Sequence, residues 1–414
     1  MDAGIISLQT FTGCFGVIMF FILLSGCGLF NGLDIGQALP GNDDTGNIVT
    51  TDTDTDTDTD TDTDTDTVVP PVELALYAMT IKDNGTIGIE TFDIGNEMRV
   101  DTSPTSLSGS SIGRNSLILT TDNRLLATGG EDSSIEGLAI DDQSGLLSLE
   151  GWSPYATSGV NLHTLDEKEG ILYGVSDDLI LSGFLNNNGI EEISRSPYCN
   201  SYCNFIDIAA TLDGSHFAAT FNFNQTGNGE TGNLDTGFYS EFGTVLTGSY
   251  MLDELKDMSQ YIWSSMGNLA VSKPGDLVYA STDQGVAVIR PDEASSRLLG
   301  FTGSYTHEAN IEMSMNEEVS YSVEPGFGSM SWYLNSYSVS QGGTQWQSLG
   351  VVEAPEDTKY IYASENYIAL SSRGRVWVYE LSSNGIPAEH FVEFTRQGQN
   401  YFGPIVIVEG AGGN

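Results

Sequence analysis

Asn161-Leu162-His163-Thr164-Leu165-Asp166, followed by Gly170-Ile171-Leu172-Tyr173-Gly174 and Leu179–Leu185, is the stretch whose reading decides the fold. A short apolar run, an acidic or glycine turn, a second run ending in small residues and a third run read as consecutive antiparallel strands. The phrase recurs in both directions. Upstream it is Leu117–Thr121, Asp122-Asn123, Leu125-Leu126-Ala127, Ile135–Ile140 and the turn Asp141–Gly145; before that, Leu76-Tyr77-Ala78 leads to Ile89–Ile94 and Gly95-Asn96. Downstream it is Ile206–Thr211, Asp213-Gly214 and His216-Phe217-Ala218, then Leu269–Ser272, Pro274-Gly275, Val278-Tyr279-Ala280 and Val286–Ile289. The last two copies are Ile311–Met315 with Ser320-Tyr321-Ser322 and Trp332–Val339, and Tyr360–Ala363 with Tyr367-Ile368-Ala369 and Val376–Leu381.

The second strands begin at Leu76, Leu125, Leu172, His216, Val278, Ser320 and Tyr367, a mean period of about 48 residues. That period suits a propeller blade, and the helix-forming runs of a helical solenoid are missing. A four-stranded sheet cannot bury both faces alone, so neighbours stack radially until the ring closes. The reading is therefore an all-β chain folded as a seven-bladed β-propeller of four-stranded antiparallel blades over residues 73–410. The longer interval between His216 and Val278 places an insertion at about 222–261, expected as a glycine- and asparagine-rich loop followed by helical turns at Leu252–Met258. Tyr401–Val408 is expected to pair with Leu74–Met79 and close the circle, since an open ring would leave two bare sheet edges. A ring of small sheets also escapes the size limit of a single core.

The quoted stretch, with Ile135-Glu136-Gly137-Leu138-Ala139-Ile140-Asp141 before Gly145-Leu146-Leu147, resembles the blade phrase of lactonase-type and YVTN-type propellers. Met266-Gly267-Asn268-Leu269-Ala270-Val271-Ser272 is similar to the opening strand of such a blade. These motifs are blade grammar and argue for fold rather than activity. Enzymes of the lactonase type use His, Arg and Glu near the central channel. The resemblance puts His163 at the channel mouth, as a channel-lining or hydrogen-bonded histidine without catalysis or, as the alternative, a catalytic group; no arginine accompanies it in a comparable motif, and Arg114 is the nearest candidate by unit alignment. His216, His307 and His390 have no such context. No nucleophile elbow, zinc-protease helix or phosphate-cradling loop is present. The carboxylate pairs Asp141-Asp142, Asp177-Asp178 and Glu191-Glu192 read as solvated, because strand alternation sends neighbours to opposite faces. Trp152, Trp263, Trp332, Trp346 and Trp377 read as packing between blades, with a sugar-binding rim as the alternative.

The N-terminus carries a second resemblance. Leu24-Ser25-Gly26-Cys27 closes the apolar run Phe15–Leu24 and resembles a bacterial lipobox. The run is long enough for a secretory leader and short for a bilayer span. Residues 1–26 carry no Lys or Arg, and Asp2 stands where such leaders are normally positive; an uncleaved anchor helix over Ile5–Phe30 is the alternative. The resemblance implies a signal peptide at 1–26, lipidation of Cys27 and a cell-envelope protein held to a membrane by acyl chains. Gly28 after the cysteine favours the outer membrane. Residues 27–72 form an acidic linker in which Thr and Asp alternate from Thr51 to Thr67. Repelling carboxylates without hydrophobes cannot build a core, so the linker is expected to be disordered and to act as a spacer. A calcium attractor and a threonine-glycosylation stretch are the other readings.

Formal net charge is −43; residues 1–72 hold twelve acidic and no basic residues, leaving −31 on residues 73–414. Such a field excludes nucleic acid as a partner. It leaves an envelope protein, a glycan or a small molecule as the ligand of a monomer, with no cofactor and no metal site beyond a diffuse attraction for calcium. Of the four cysteines, Cys14 lies in the leader and Cys27 is the lipidation site. Cys199 and Cys203 read as a local disulfide in an oxidising compartment, with free thiols or a redox or metal role as alternatives. The functional reading is a binding or scaffolding module, with a lactonase-like hydrolase acting at the channel mouth as the alternative and calcium-dependent adhesion as a third.

Overall fold

Every described element is a strand. The computed structural model describes residues between Val72 and Gly410, with short breaks and two longer ones at 252–265 and 303–311. The leader, Cys27, the Thr-Asp linker, Arg114, Asp177-Asp178, Cys199, Trp263, His307 and the expected helical turns at 252–258 lie outside the described residues.

The strands fall into seven sheets among the described residues. Blade 1 holds β1 (Leu74–Ile81), β2 (Ile87–Asp93) and two short outer pieces, β3 (Met98–Arg99) and β4 (Thr105–Ser106), both paired to β2. Blade 2 holds β5 (Leu117–Leu119), β6 (Leu125–Thr128), β7 (Ser134–Ile140), β8 (Leu147–Leu149) and β9 (Tyr155–Ala156). Blade 3 is β10 (Thr164–Lys168), β11 (Ile171–Val175), β12 (Leu179–Asn186) and β13 (Gly189–Pro197). Blade 4 is β14 (Cys203–Ala210), β15 (His216–Gln225), β16 (Gly229–Ser240) and β17 (Gly243–Met251). Blade 5 is β18 (Met266–Ser272), β19 (Leu277–Thr282), β20 (Gly285–Arg290) and β21 (Arg297–Thr302). Blade 6 is β22 (Glu312–Asn316), β23 (Val319–Pro325), β24 (Trp332–Val339) and β25 (Trp346–Ala354). Blade 7 is β26 (Tyr360–Ala363), β27 (Tyr367–Ser372), β28 (Arg375–Leu381) and β29 (Pro387–Thr395). The final strand, β30 (Phe402–Glu409), returns to blade 1 and pairs with β1 from Leu74↔Glu409 to Ala78↔Ile405, so the expected closure is present.

Strand alternation explains why the sheets stand radially. On β11, Leu172 packs towards blade 2 with Leu126 and Ile135, whereas Tyr173 packs towards blade 4 with Ile208 and Phe217. An apolar cluster lies at each of the seven blade boundaries, from Tyr77 and Ile89 against Leu125 and Leu138 round to Val378 and Phe394 against Phe92 and Phe402. The core is thus a circle of interfaces. At the boundary of blades 2 and 3, a side chain on Gly137 would place Cβ 2.2 Å from Trp152 Cζ2, so the glycine gives the indole its seat.

One expectation is corrected. Residues 222–251 are not a glycine-rich loop: they continue β15 and form the hairpins to β16 and β17, in register from His216↔Phe238 to Gln225↔Gly229. Glycine and asparagine suggest a loop from local preference, but a ladder partner on either side overrides that preference.

Candidate functional site

Chain direction divides the ring into two rims. Each inner strand (β5, β10, β14, β18, β22, β26, β30) starts where the chain arrives from the preceding blade, and β5, β10, β14 and β26 end at short described turns. His163 lies on the arrival rim, immediately before β10; its N–H donates to Val175 O at 2.9 Å and its side chain is half-buried. The preceding Leu162 is clamped from blade 2, because Thr128 Oγ1 donates to Leu162 O at 3.1 Å. Cys203 opens β14 opposite Phe223. His216 begins β15, with Ser215 Oγ 2.7 Å from its Nδ1, and the exposed His390 stacks on Trp377 at 4.7 Å between ring centroids. Trp152, Trp332, Trp346 and Trp377 all flank apolar clusters at blade boundaries, as packing residues do.

The inner strands carry a set of carboxylates that sequence reasoning missed. Asp207, fully buried on β14, reaches both neighbouring blades. Its Oδ1 accepts from Thr164 Oγ1 at 3.2 Å in blade 3, and its Oδ2 accepts from Leu269 N at 2.8 Å in blade 5. Asp166 Oδ2 accepts from Ala210 N at 2.7 Å, and Lys168 Nζ lies 3.3 Å from its other oxygen. The Asp166 charge raises the Lys168 ammonium above its ordinary range despite burial. Buried Glu167 accepts from Thr121 N in blade 2 at 2.7 Å and from Gly170 N at the turn. Glu409, ending β30, accepts from Asn366 N at 3.0 Å and Nδ2 at 2.6 Å in blade 7. Buried Asp207 and Glu167 each have donors from a neighbouring blade, which is what makes their burial tolerable. The available signal was an acid inside an apolar run, as in Phe205-Ile206-Asp207-Ile208-Ala209.

Between blades 2 and 3 the turn rim holds a cleft of about 230 Å³, lined by Thr121, Asp122, Glu167, Glu169, Gly170 and Leu185. Arg124 stands beside it. Its Nε and Nη2 grip both oxygens of Asp122, while Nη1 lies 3.2 Å from Glu150 Oε2 and 3.3 Å from Asn186 O. Burial pushes the Asp122 carboxyl up, but hydrogen bonds from Arg124 and Thr120 outweigh it and hold the group below the usual range. Both Glu167 oxygens accept backbone N–H groups and Arg124 is held by Asp122 and Glu150 while reaching Asn186 O, so the corner fixes blade 2 to blade 3.

The carboxylate pairs differ from expectation in one case. Asp141 is exposed turn chemistry, accepting from Gln143 N at 3.2 Å and Ser144 N at 2.7 Å. Glu191 is exposed as well. Glu192 is not simply solvated: it accepts from Arg195 Nη2 at 2.7 Å and Tyr155 Oη at 3.1 Å. A register shift between Ser182 and Gly183 brings Arg195 and Glu192 together. Among the described residues no group of three or more His, Cys, Asp or Glu is placed to hold a metal ion.

No protein-family model matches the chain, and no curated protein matches it in sequence. Its fold matches solved structures over most of its length. A candidate 6-phosphogluconolactonase from Bacteroides fragilis is similar at TM-score 0.57 and 12% identity, covering 82% of this chain and 98% of that one. Another, from Bacteroides uniformis, is similar at TM-score 0.54 and 14% identity, covering 81% and 100%. The apo form of AztD from Citrobacter koseri is similar at TM-score 0.52 and 12% identity, covering 82% and 99%. Likeness at such identity carries the fold and not the activity: the chain shares its β-propeller architecture with 6-phosphogluconolactonase-like proteins and with AztD.

Proposed function

We propose that the chain is an extracytoplasmic propeller, tethered to a membrane through lipidated Cys27, that works as a binding or scaffolding module. The observation that carries this reading is the use made of the inner-strand carboxylates. Asp166, Glu167, Asp207 and Glu409 each accept hydrogen bonds across a blade boundary, so they lock a rigid ring and are not poised for proton transfer. A rigid ring at the end of a long charged linker suits presentation of a surface to an envelope protein, glycan or small molecule.

The second reading is a lactonase-like hydrolase. It is favoured by the fold shared with two candidate 6-phosphogluconolactonases and by His163 on the arrival rim. A phosphorylated lactone is an anion, however, and −31 on residues 73–414 repels it. The full chain is expected to leave 6-phosphogluconolactone and uncharged lactones at their spontaneous hydrolysis rates. Turnover abolished by His163→Ala would replace the binding module with the hydrolase. Incorporation of labelled fatty acid, lost in Cys27→Ser, tests the anchor separately.

A further inference from the structure

We draw no further inference here: the strongest candidate, the turn-rim cleft between blades 2 and 3 around Asp122, Glu167 and Glu169, is a cluster of acidic side chains with no second feature that points to a ligand, since Arg124 already holds Asp122 and both oxygens of buried Glu167 accept backbone N–H groups.

Discussion

Asp207 shows how single residues hold adjoining blades in place. Buried between two blades, it satisfies Leu269 N–H on one side and Thr164 Oγ1 on the other. Asp207→Ala leaves both donors without that acceptor and is expected to cost about 2–4 kcal/mol, read as a lower urea midpoint at unchanged slope. A midpoint equal to the parent's would show that the ring does not depend on it. Glu192 makes a pH-dependent contribution. Hydrogen bonding from Arg195 holds its carboxyl below the ordinary value of 4.5, against the opposing effect of burial. Because the folded state has the lower value, the stabilisation is complete above 4.5 and is lost as pH falls through the folded value. Glu192→Gln should therefore flatten the fall of Tm with acidification between roughly pH 5 and pH 3; an acid limb unchanged by the substitution would refute the assignment. In the sequence Asp207 stands out as an acid inside an apolar run, but neither its donors nor the Glu192 pairing was legible there. An acid's burial depends on donors supplied by another blade, and Glu192 meets Arg195 only through a register shift.

Among the elements, the second strands of blades 1, 3 and 6 carry a repeated device. In Leu76-Tyr77-Ala78, Leu172-Tyr173-Gly174 and Ser320-Tyr321-Ser322 the tyrosine occupies the same place in the phrase. Tyr77 Oη donates to Gly145 O at 2.8 Å, Tyr173 Oη to Gly214 O at 2.9 Å and Tyr321 Oη to Gly385 O at 2.9 Å. Each bond crosses to a turn of the following blade. Burial raises the Tyr77 and Tyr321 hydroxyls, so they stay protonated and able to donate. Tyr→Phe at each position is expected to cost about 1 kcal/mol, and the three together about 3 kcal/mol, since the sites share no partners. Denaturant titration of the triple variant checks this; a marked shortfall from additivity would mean the bonds are coupled or dispensable. The tyrosine positions could be read from the repeat, but their partners could not. Likewise, the strands through 222–251 were hidden by glycine and asparagine, whose loop preference yields when a ladder forms on both sides.

For the whole molecule, stability rests on closure. β30 supplies the inner strand of the first blade, joining the two ends of the ring by backbone pairing with β1 and by packing Ile405 and Ile407 with Leu76 and Ala78. Removing residues 402–414 exposes the edge of β1 and the apolar faces of Leu76 and Ala78. The truncated chain is expected to lose its cooperative melt and to self-associate, as judged by circular dichroism and sedimentation. A monomer with the parent Tm would show that the remaining blades hold without the closing strand. The sequence by itself determined the all-β class, the blade period, the turn positions and the closing strand. Alternation, turn residues and spacing are local properties, and they survive being read without neighbours. Only the tertiary structure decided which carboxylates are buried and which tyrosines cross a boundary. Each of those depends on what the adjacent blade places opposite, and radial stacking brings together residues far apart in the chain.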